Sequence, residues 1–187
     1  YNMFLVKYNA FGNAIWAKCV EGGNSCSVAT DFNGNVYVTG SFSHTITFGS
    51  HTLTSTGIDI FLVKYDTDGN VIWAKGTGVT NDADYGQGVT TDTYGNVYIT
   101  GFFTSTTIPF GNDTLINAGA YGSSDMFLAK FDSNGNNLWA RNASGGNGQD
   151  ESYSVATDLN NNVYMVGSFN SSTITFGSYT LTNSGND

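Results

Sequence analysis

Two kinds of ionisable side chain recur in this chain at a fixed spacing. Lysines lie near the ends of three similar segments, FLVKY (4–8), FLVKY (61–65) and FLAKF (127–131), as Lys7, Lys64 and Lys130. Aspartates end three others, SVATD (27–31), GVTTD (88–92) and SVATD (154–158), as Asp31, Asp92 and Asp158. Repeated ammonium groups can bind an anion, and two carboxylates at a fixed separation can hydrolyse a glycoside. A ligand site normally breaks the symmetry of a repeat, so we favour a structural role for both sets. In that role a nearby aspartate holds each ammonium group, and the stem of the lysine packs on an aromatic ring.

Acidic turns follow two of the lysine segments, DTDGN (66–70) and DSNGN (132–136). Asp66, Asp68 and Asp132 offer oxygens of the kind that calcium loops use. No glutamate follows where an EF-hand requires one, and the equivalent turn NAFGN (9–13) has no acid. Hydrogen bonds from these side chains to the turn backbone explain the same residues without a metal. The sequence therefore favours no cofactor, with calcium at these turns as the alternative.

The two cysteines, Cys19 and Cys26, flank a shortened loop. Asp31 follows Lys18 by 13 residues, whereas the equivalent separation is 17 residues in the other two copies. A disulfide that braces this loop is typical of an oxidising, extracellular setting. Two buried thiols in a reducing compartment are the alternative. We predict the disulfide.

Three loops break the repeat. Residues 81–87 (NDADYGQ) and 146–152 (GNGQDES) cluster acids, and residues 117–124 are inserted in the middle copy. Acidic loops can hold a cation or a basic ligand, and a tyrosine on a glycine-rich loop is a common contact residue. Solvated loops without a ligand are the alternative. Our candidate ligand contacts are Tyr121, Asp82, Asp84, Asp150 and Glu151.

Composition indicates an all-β protein and excludes some functions. The chain has 24 glycines, 14% aromatic residues and no window of apolar residues at helical spacing, and its Thr, Tyr, Phe, Val and Ile favour strands. The net charge of −9, with only six basic residues, excludes a nucleic-acid-binding surface. No apolar run approaches the roughly 18 residues of a transmembrane helix.

Each copy is predicted to fold as two hairpins. In the first hairpin a turn joins the lysine strand to a tryptophan strand, which carries Trp16, Trp73 or Trp139. In the second hairpin a turn joins the aspartate strand to a tyrosine strand, which is VYVTGSF (36–42), VYITGFF (97–103) or VYMVGSF (163–169). Five of the six turns have glycine at one position that favours a positive φ, and Asn161 replaces it in the sixth. A further F-G-x-x-T-L element predicts a small additional hairpin in each copy.

Two hairpins per copy make a four-stranded antiparallel sheet, and such sheets in tandem are the blades of a β-propeller. A β-solenoid would have shorter coils, and a β-sandwich would not repeat so closely. The copies are residues 2–58, 59–124 and 125–187, so we expect about three blades' worth of a propeller.

The unit D-x-F-L-x-K-[YF]-D-x-x-G-N-x-x-W-A-[KR], followed by V-x-T-D-x-x-G-N-V-Y-x-x-G, resembles the SBBP family of bacterial β-propeller repeat proteins over essentially the whole chain. The resemblance implies a propeller, often seven-bladed, in a secreted or surface-exposed bacterial protein, with no shared catalytic motif. It also implies that the aspartate strand is innermost, followed outward by the tyrosine, lysine and tryptophan strands. On that order the chain starts and ends in the middle of a blade, because it is part of a larger propeller or because other chains complete it.

We therefore expect a non-catalytic scaffold and binding or adhesion module of a larger extracellular or cell-surface bacterial protein. Its partner would be a carbohydrate or a protein surface, with no nucleic acid and no membrane span. One alternative is a polysaccharide-active enzyme that uses Asp31, Asp92 and Asp158. Another is a unit that assembles into a ring or fibre through exposed blade edges.

Overall fold

The structure is a computed structural model that describes residues 2–77, 81–120, 122–143 and 145–185, without the side chain of Ser25. Sixteen antiparallel strands account for the secondary structure of these residues. No helix long and apolar enough to cross a membrane occurs within them. The prediction of an all-β fold is confirmed.

Two four-stranded sheets form complete blades. The first consists of β3 (Gly23–Thr30), β4 (Val36–Phe48), β5 (His51–Tyr65) and β6 (Val71–Gly76), paired in that order. The second consists of β7 (Asp84–Thr91), β8 (Val97–Phe103), β11 (Asp125–Phe131) and β12 (Asn137–Ala143), also paired in chain order. In both sheets the aspartate strand is followed by the tyrosine, lysine and tryptophan strands, as the family resemblance implies.

A two-stranded half-blade lies at each end of the described chain. β1 (Asn2–Tyr8) and β2 (Ala14–Glu21) are a lysine strand and a tryptophan strand. β13 (Asp150–Thr157) and β14 (Val163–Phe169) are an aspartate strand and a tyrosine strand. The first sheet thus has the two outer strands of a blade, and the last has the two inner ones.

The turns explain why the strands pair in this register. In each copy an inner turn joins the aspartate strand to the tyrosine strand, and an outer turn joins the lysine strand to the tryptophan strand. All six of these turns close with a residue in the left-handed region, which glycine adopts at little cost. Its φ is 77–81° at the five glycines and 64° at Asn161. Asparagine is one of the few other residues that tolerate this region. The predicted role of Asn161 is confirmed.

The F-G-x-x-T-L element forms a hairpin on the opposite rim. In the second blade it consists of β9 (Thr107–Phe110) and β10 (Asp113–Ile116), and in the third copy of β15 (Thr173–Phe176) and β16 (Tyr179–Thr182). In the first blade it is continuous with β4 and β5. Each hairpin buries an apolar side chain. Phe48 clusters with Phe61 of the first blade and Ile108 with Phe127 of the second, whereas Ile174 of the third copy packs with Met126 and Ala143 of the second blade.

The blades pack face to face. The main hydrophobic cluster joins Tyr37, Leu62 and Trp73 of the first blade to Val89 and Ile99 of the second. Innermost strands also bond across the interfaces, since Thr91 Oγ1 donates to Thr30 O at 2.8 Å and Thr157 Oγ1 donates to Thr91 O at 2.7 Å. The consecutive blades are therefore held together both by apolar packing and by hydrogen bonds near the axis.

Candidate functional site

The repeated lysines and tryptophans lie at the blade interfaces. Lys64 Nζ and Trp73 Nε1 both donate to Ser133 O, in the outer turn of the next blade, at 3.0 and 3.2 Å. The ammonium group of Lys64 also lies 5.2 Å from the centroid of the Tyr37 ring. The same arrangement joins Lys7 and Trp16 to Thr67 O, at 2.9 and 3.1 Å. These four side chains connect one blade to the next.

The groups that accept hydrogen bonds from the repeated lysines differ from those that we expected. We expected an aspartate beside each ammonium group, but a backbone carbonyl accepts from Lys7 and Lys64. Only Lys130, among these three, has an aspartate partner, with Nζ 3.5 Å from Asp92 Oδ2. The outer turn of a following blade supplies the carbonyl, and for Lys130 the described chain contains no such turn.

The three aspartates of the inner turns are occupied by structural hydrogen bonds. Asp92 Oδ1 accepts from the backbone N–H groups of Tyr94 and Asn96, and its Oδ2 accepts from Asn96 Nδ2 and the Tyr98 hydroxyl, at 2.7–3.0 Å. Asp31 and Asp158 make the same set of bonds. Burial opposes ionisation of Asp92, but these hydrogen bonds outweigh it and lower the pKa of the carboxyl. Carboxylates bonded in this way are poor candidates for acid–base chemistry.

The outer turns use their acids in the same manner. Asp66 accepts from the backbone N–H groups of Asp68 and Asn70 and from Asn70 Nδ2, at 2.8–2.9 Å. The hydrogen bond from the Asn70 side chain is the main cause that lowers the pKa of Asp66. Asp132 makes equivalent bonds to its own turn. Among the described residues no three His, Cys, Asp or Glu side chains are grouped as metal ligands. Calcium at these turns stays the alternative that the sequence left open.

The cysteines are free, exposed thiols in the structure. Cys19 lies on β2 opposite Phe4 of β1. Cys26 lies at the bulge of β3, between Ser25 and Ser27. The two residues thus belong to adjacent sheets, and a disulfide between them, which stays a prediction, would link the first half-blade to the first complete blade.

Two of the candidate ligand contacts are buried. Asp84 is 1% exposed and accepts from Ser105 N, Ser105 Oγ and Thr104 N at 2.8–3.2 Å. Asp150 is fully buried and accepts from Ser171 N and Oγ at 3.2 and 2.7 Å. Because neither carboxylate reaches the surface, their prediction as ligand contacts does not fit the structure. Both fix the loop that follows the tyrosine strand.

Each of these buried acids has a second one nearby that we did not single out from the sequence. Burial and then the charge of Asp59 raise the pKa of Asp84 to about 6, although Ser105 opposes the shift. Burial also raises the pKa of Asp125, with a smaller contribution from Asp150. Parallel bridges that pair Ile58 with Ala83 and Ser124 with Gln149 bring the acids together at the blade interfaces. The sequence did contain a signal of this association. Where the other copies have the two acids and the serine that bonds to one of them, the first copy has Asn2, Gly23 and His44, so all three residues change together.

The loops that break the repeat meet on the rim that carries the additional hairpins. Asp82 of the loop 81–87 and Asn117 of the insertion 117–124 line one cavity of about 520 Å³. The other lining residues are Gly57, Ile58, Asn81, Ala83, Thr104, Thr106, Gly119, Ala120 and Gly122. Tyr121 belongs to the same insertion and lies outside the described residues. We call this space the rim cavity.

Hydrogen bonds hold the insertion in place. Asn117 is buried, donates to Phe103 O and Ser123 O, and accepts from Gly119 N and Ser123 Oγ. The third irregular loop contacts the insertion from the other side. Ala120 N donates to Asn147 Oδ1 at 2.8 Å, and Gln149 Nε2 donates to Gly122 O at 2.7 Å. The wall of the rim cavity is therefore fixed before any ligand arrives.

The lining of the rim cavity is polar and nearly uncharged. Amide, hydroxyl and backbone groups predominate, and Asp82 is the one ionisable side chain among the described lining residues. Glu151, the remaining candidate, is away from this lining and accepts from the Tyr153 hydroxyl at 3.0 Å. Such a lining can bind hydroxyl-rich ligands, since each polar group can donate to or accept from a hydroxyl. It lacks the pair of carboxylates that glycoside hydrolysis requires.

Comparison with known proteins supports the repeat architecture. A family model described as "Beta-propeller repeat" (SBBP) matches residues 72–102 and 138–172. An uncharacterized WD repeat-containing protein of Acanthamoeba polyphaga mimivirus is 28% identical over 212 aligned residues, which cover 94% of this chain but 15% of the viral protein. The chain thus corresponds to a small part of that relative.

Solved structures include a protein of unknown function from Bacteroides caccae, with 13% identity and a TM-score of 0.38. The alignment covers 92% of this chain and 66% of the other. Both segments matched by the family model, 72–102 and 138–172, begin at the second residue of a tryptophan strand, β6 or β12, and continue into the next aspartate and tyrosine strands. These two segments of the chain are therefore similar to the SBBP β-propeller repeat.

Proposed function

We propose that the chain is a non-catalytic propeller segment of a larger secreted or cell-surface bacterial protein, and that it binds a carbohydrate at the rim cavity. The convergence of loops 81–87 and 117–124 on one cavity carries the proposal. Repeated residues build the blades, so a site specific to this protein is expected where the copies differ. A volume of about 520 Å³ lies within the usual range of ligand sites.

The chemistry of the lining favours a neutral, hydroxyl-rich ligand. Asn81, Thr104 and Thr106 offer neutral donors and acceptors, and Asp82 offers one charged acceptor. A carboxylate can accept hydrogen bonds from two sugar hydroxyls, and each such bond is about twice as strong as a hydrogen bond to a neutral acceptor. Adhesion to a glycan-covered surface is the role that follows from such a site on an extracellular scaffold.

A glycan array probed with the 187-residue chain tests the proposal. We expect binding to a defined set of glycans, weakened at least about tenfold by Asp82→Ala, because a hydrogen bond to a charged group contributes about 1.5–3 kcal/mol. Tyr121→Ala tests the candidate contact on the insertion. Asp68→Ala is the matched control, since it removes an exposed acid from a turn on the opposite rim. Absence of glycan binding, or equal loss in Asp82→Ala and Asp68→Ala, contradicts the proposed site.

A further inference from the structure

A second cavity lies between the two complete blades. Its volume is about 370 Å³, within the usual range of small-molecule sites, and none of its described lining residues also lines the rim cavity. The lysine and tryptophan strands of the first blade form one wall. The tyrosine strand, the β9–β10 hairpin and the outer turn of the second blade form the other. We call this space the interface cavity.

The floor of the interface cavity is apolar. Its residues are Ile60, Leu62, Ile99, Phe110 and Phe131, all of which belong to the main hydrophobic cluster. Each is at most 7% exposed, so the cavity opens onto side chains of the core. Contact with them favours an aliphatic or aromatic group over water.

The described lining of the cavity includes one base and no acid. Lys75 is this base, in a chain that has 15 acids and six bases. Its stem crosses the outer turn of the second blade, since a Cβ on Gly135 would lie 3.2 Å from Lys75 Cε. Within the described residues no hydrogen bond or ion pair holds the ammonium group of Lys75. The charge of the lining therefore favours an anionic ligand group.

Neutral polar groups also line the cavity. Thr77 Oγ1 accepts from Ile60 N at 3.1 Å, and a hydroxyl that accepts a hydrogen bond can still donate one. Asn112 is exposed at the turn of the β9–β10 hairpin, and its amide can donate two hydrogen bonds. An ammonium, a hydroxyl and an amide together match a carboxylate, which accepts several hydrogen bonds.

Two lining positions differ from the interface between the β1–β2 hairpin and the first complete blade. Thr77 and Asn137 line the cavity, and their equivalents are Val20 and Val71. Both valines pack against the hydrophobic cluster of the first blade. The polar character of these positions is therefore not required to stack two blades, and a specific site is expected where the copies differ.

We propose that the interface cavity binds an amphipathic carboxylic acid, with the carboxylate beside Lys75 and the aliphatic or aromatic body on the apolar floor. Binding is noncovalent and reversible. It does not require a carbohydrate at the rim cavity, because the two cavities have different linings.

Isothermal titration calorimetry with octanoate tests the site. We expect saturable binding with a negative heat-capacity change, which marks the burial of apolar surface. Lys75→Gln should weaken octanoate binding about tenfold, because a hydrogen bond between charged groups is lost. The same variant should bind uncharged octanol as the unmodified chain does. Lys18→Gln is the matched control, since Lys18 is the equivalent lysine and its stem crosses Gly69 in the same way.

A second variant tests the position of the alkyl chain. Asn112→Trp places an indole ring at the mouth of the cavity, and it should weaken the binding of octanoate and octanol alike. Asn112 is exposed at a hairpin turn, so this variant should fold, which circular dichroism verifies. Ser50→Trp is the matched control, because Ser50 is the exposed equivalent in the first blade and does not line the cavity.

Three results would overturn the proposal. One is the absence of a saturable heat of octanoate binding. Another is an equal loss in Lys75→Gln and Lys18→Gln, or in Asn112→Trp and Ser50→Trp, which would place the octanoate elsewhere. The third is equal binding of octanoate and octylammonium, which would show that the positive charge of Lys75 selects nothing.

Discussion

The hydroxyl of Tyr98 donates a hydrogen bond of 3.0 Å to the carboxylate of Asp92, and both residues are at most 5% exposed. The bond joins the start of the tyrosine strand to the inner turn that precedes it. Tyr37 and Tyr164 make the same bond to Asp31 and Asp158, at 3.1 Å. This pair explains why tyrosine and aspartate recur together at a separation of six residues.

Tyr98→Phe should lower the free energy of unfolding by about 1.5–3 kcal/mol, because it removes a hydrogen bond to a buried charged group. Urea unfolding monitored by fluorescence measures the change. Tyr94→Phe is the control, since Tyr94 is 80% exposed on the same turn, and its effect should stay within about 0.5 kcal/mol. Equal effects of the two substitutions would show that the Tyr98–Asp92 bond does not stabilise the blade.

Gly95→Ala isolates the backbone requirement of the inner turn. Gly95 has a φ of 78°, and no atom lies within 4 Å of the place that a Cβ would occupy. The cost of about 1–2 kcal/mol should therefore come from the left-handed conformation alone. Gly95→Asn should cost less, since Asn161 already adopts this conformation in the equivalent turn. Thermal unfolding of the two variants measures the loss of stability. A larger loss for Gly95→Asn than for Gly95→Ala would show that the left-handed conformation is not the cause.

Stability should fall as the pH rises through the range in which Asp84 ionises. The pKa of Asp84 in the folded protein is raised to about 6 from the ordinary value of 3.8. Between these values the folded state holds a proton that the unfolded state has released, so protonation stabilises the fold at the acidic end. Above about pH 6 both states are ionised, and that contribution is lost.

Asp84→Asn should therefore flatten the dependence of stability on pH between about 4 and 6. At pH 8 the variant should be more stable by up to about 3 kcal/mol, which corresponds to a shift of about two pKa units. Urea unfolding at a series of pH values and one protein concentration measures both effects. Asp68→Asn, at an exposed turn, is the control. An unchanged slope in Asp84→Asn would mean that this carboxyl is not the group responsible.

Oxidation of Cys19 and Cys26 should produce an intramolecular disulfide. The intact mass should then be lower by two hydrogen atoms without reductant, and both thiols should react with iodoacetamide only after reduction. A disulfide that closes a short loop stabilises by about 2–3 kcal/mol, so reduction should lower the melting temperature. Two thiols that react fully in the oxidised, folded protein would contradict the prediction.

Much of the fold follows from local signals in the sequence. Glycine or Asn161 at one turn position fixes each hairpin, because few residues adopt a positive φ. The strand order within a blade was implied by the resemblance to the SBBP repeat family. The sequence also identified loops 81–87 and 117–124 as the places where a specific site is expected.

The hydrogen-bond partners of the repeated side chains were harder to predict from the sequence. We expected Lys64 to be paired with an aspartate, but the acceptor is Ser133 O, 69 residues away. Every residue has a backbone carbonyl whatever its side chain, so no sequence pattern predicts which carbonyl accepts the bond. Burial of Asp84 and Asp150 was missed for a related reason. Their serine partners lie on a loop 21 residues further on, and an isolated acidic loop normally faces solvent.

By itself, the sequence determined a threefold β-sheet repeat, its turns, and the lysines, tryptophans and aspartates that recur in it, because turn conformation and strand alternation are local properties. Tertiary structure alone decided which groups these side chains bond to and which acids are buried. It alone also brought Asp82 and Asn117 to one cavity. Those relationships depend on how consecutive blades stack, and the contacts join residues that are far apart in the chain.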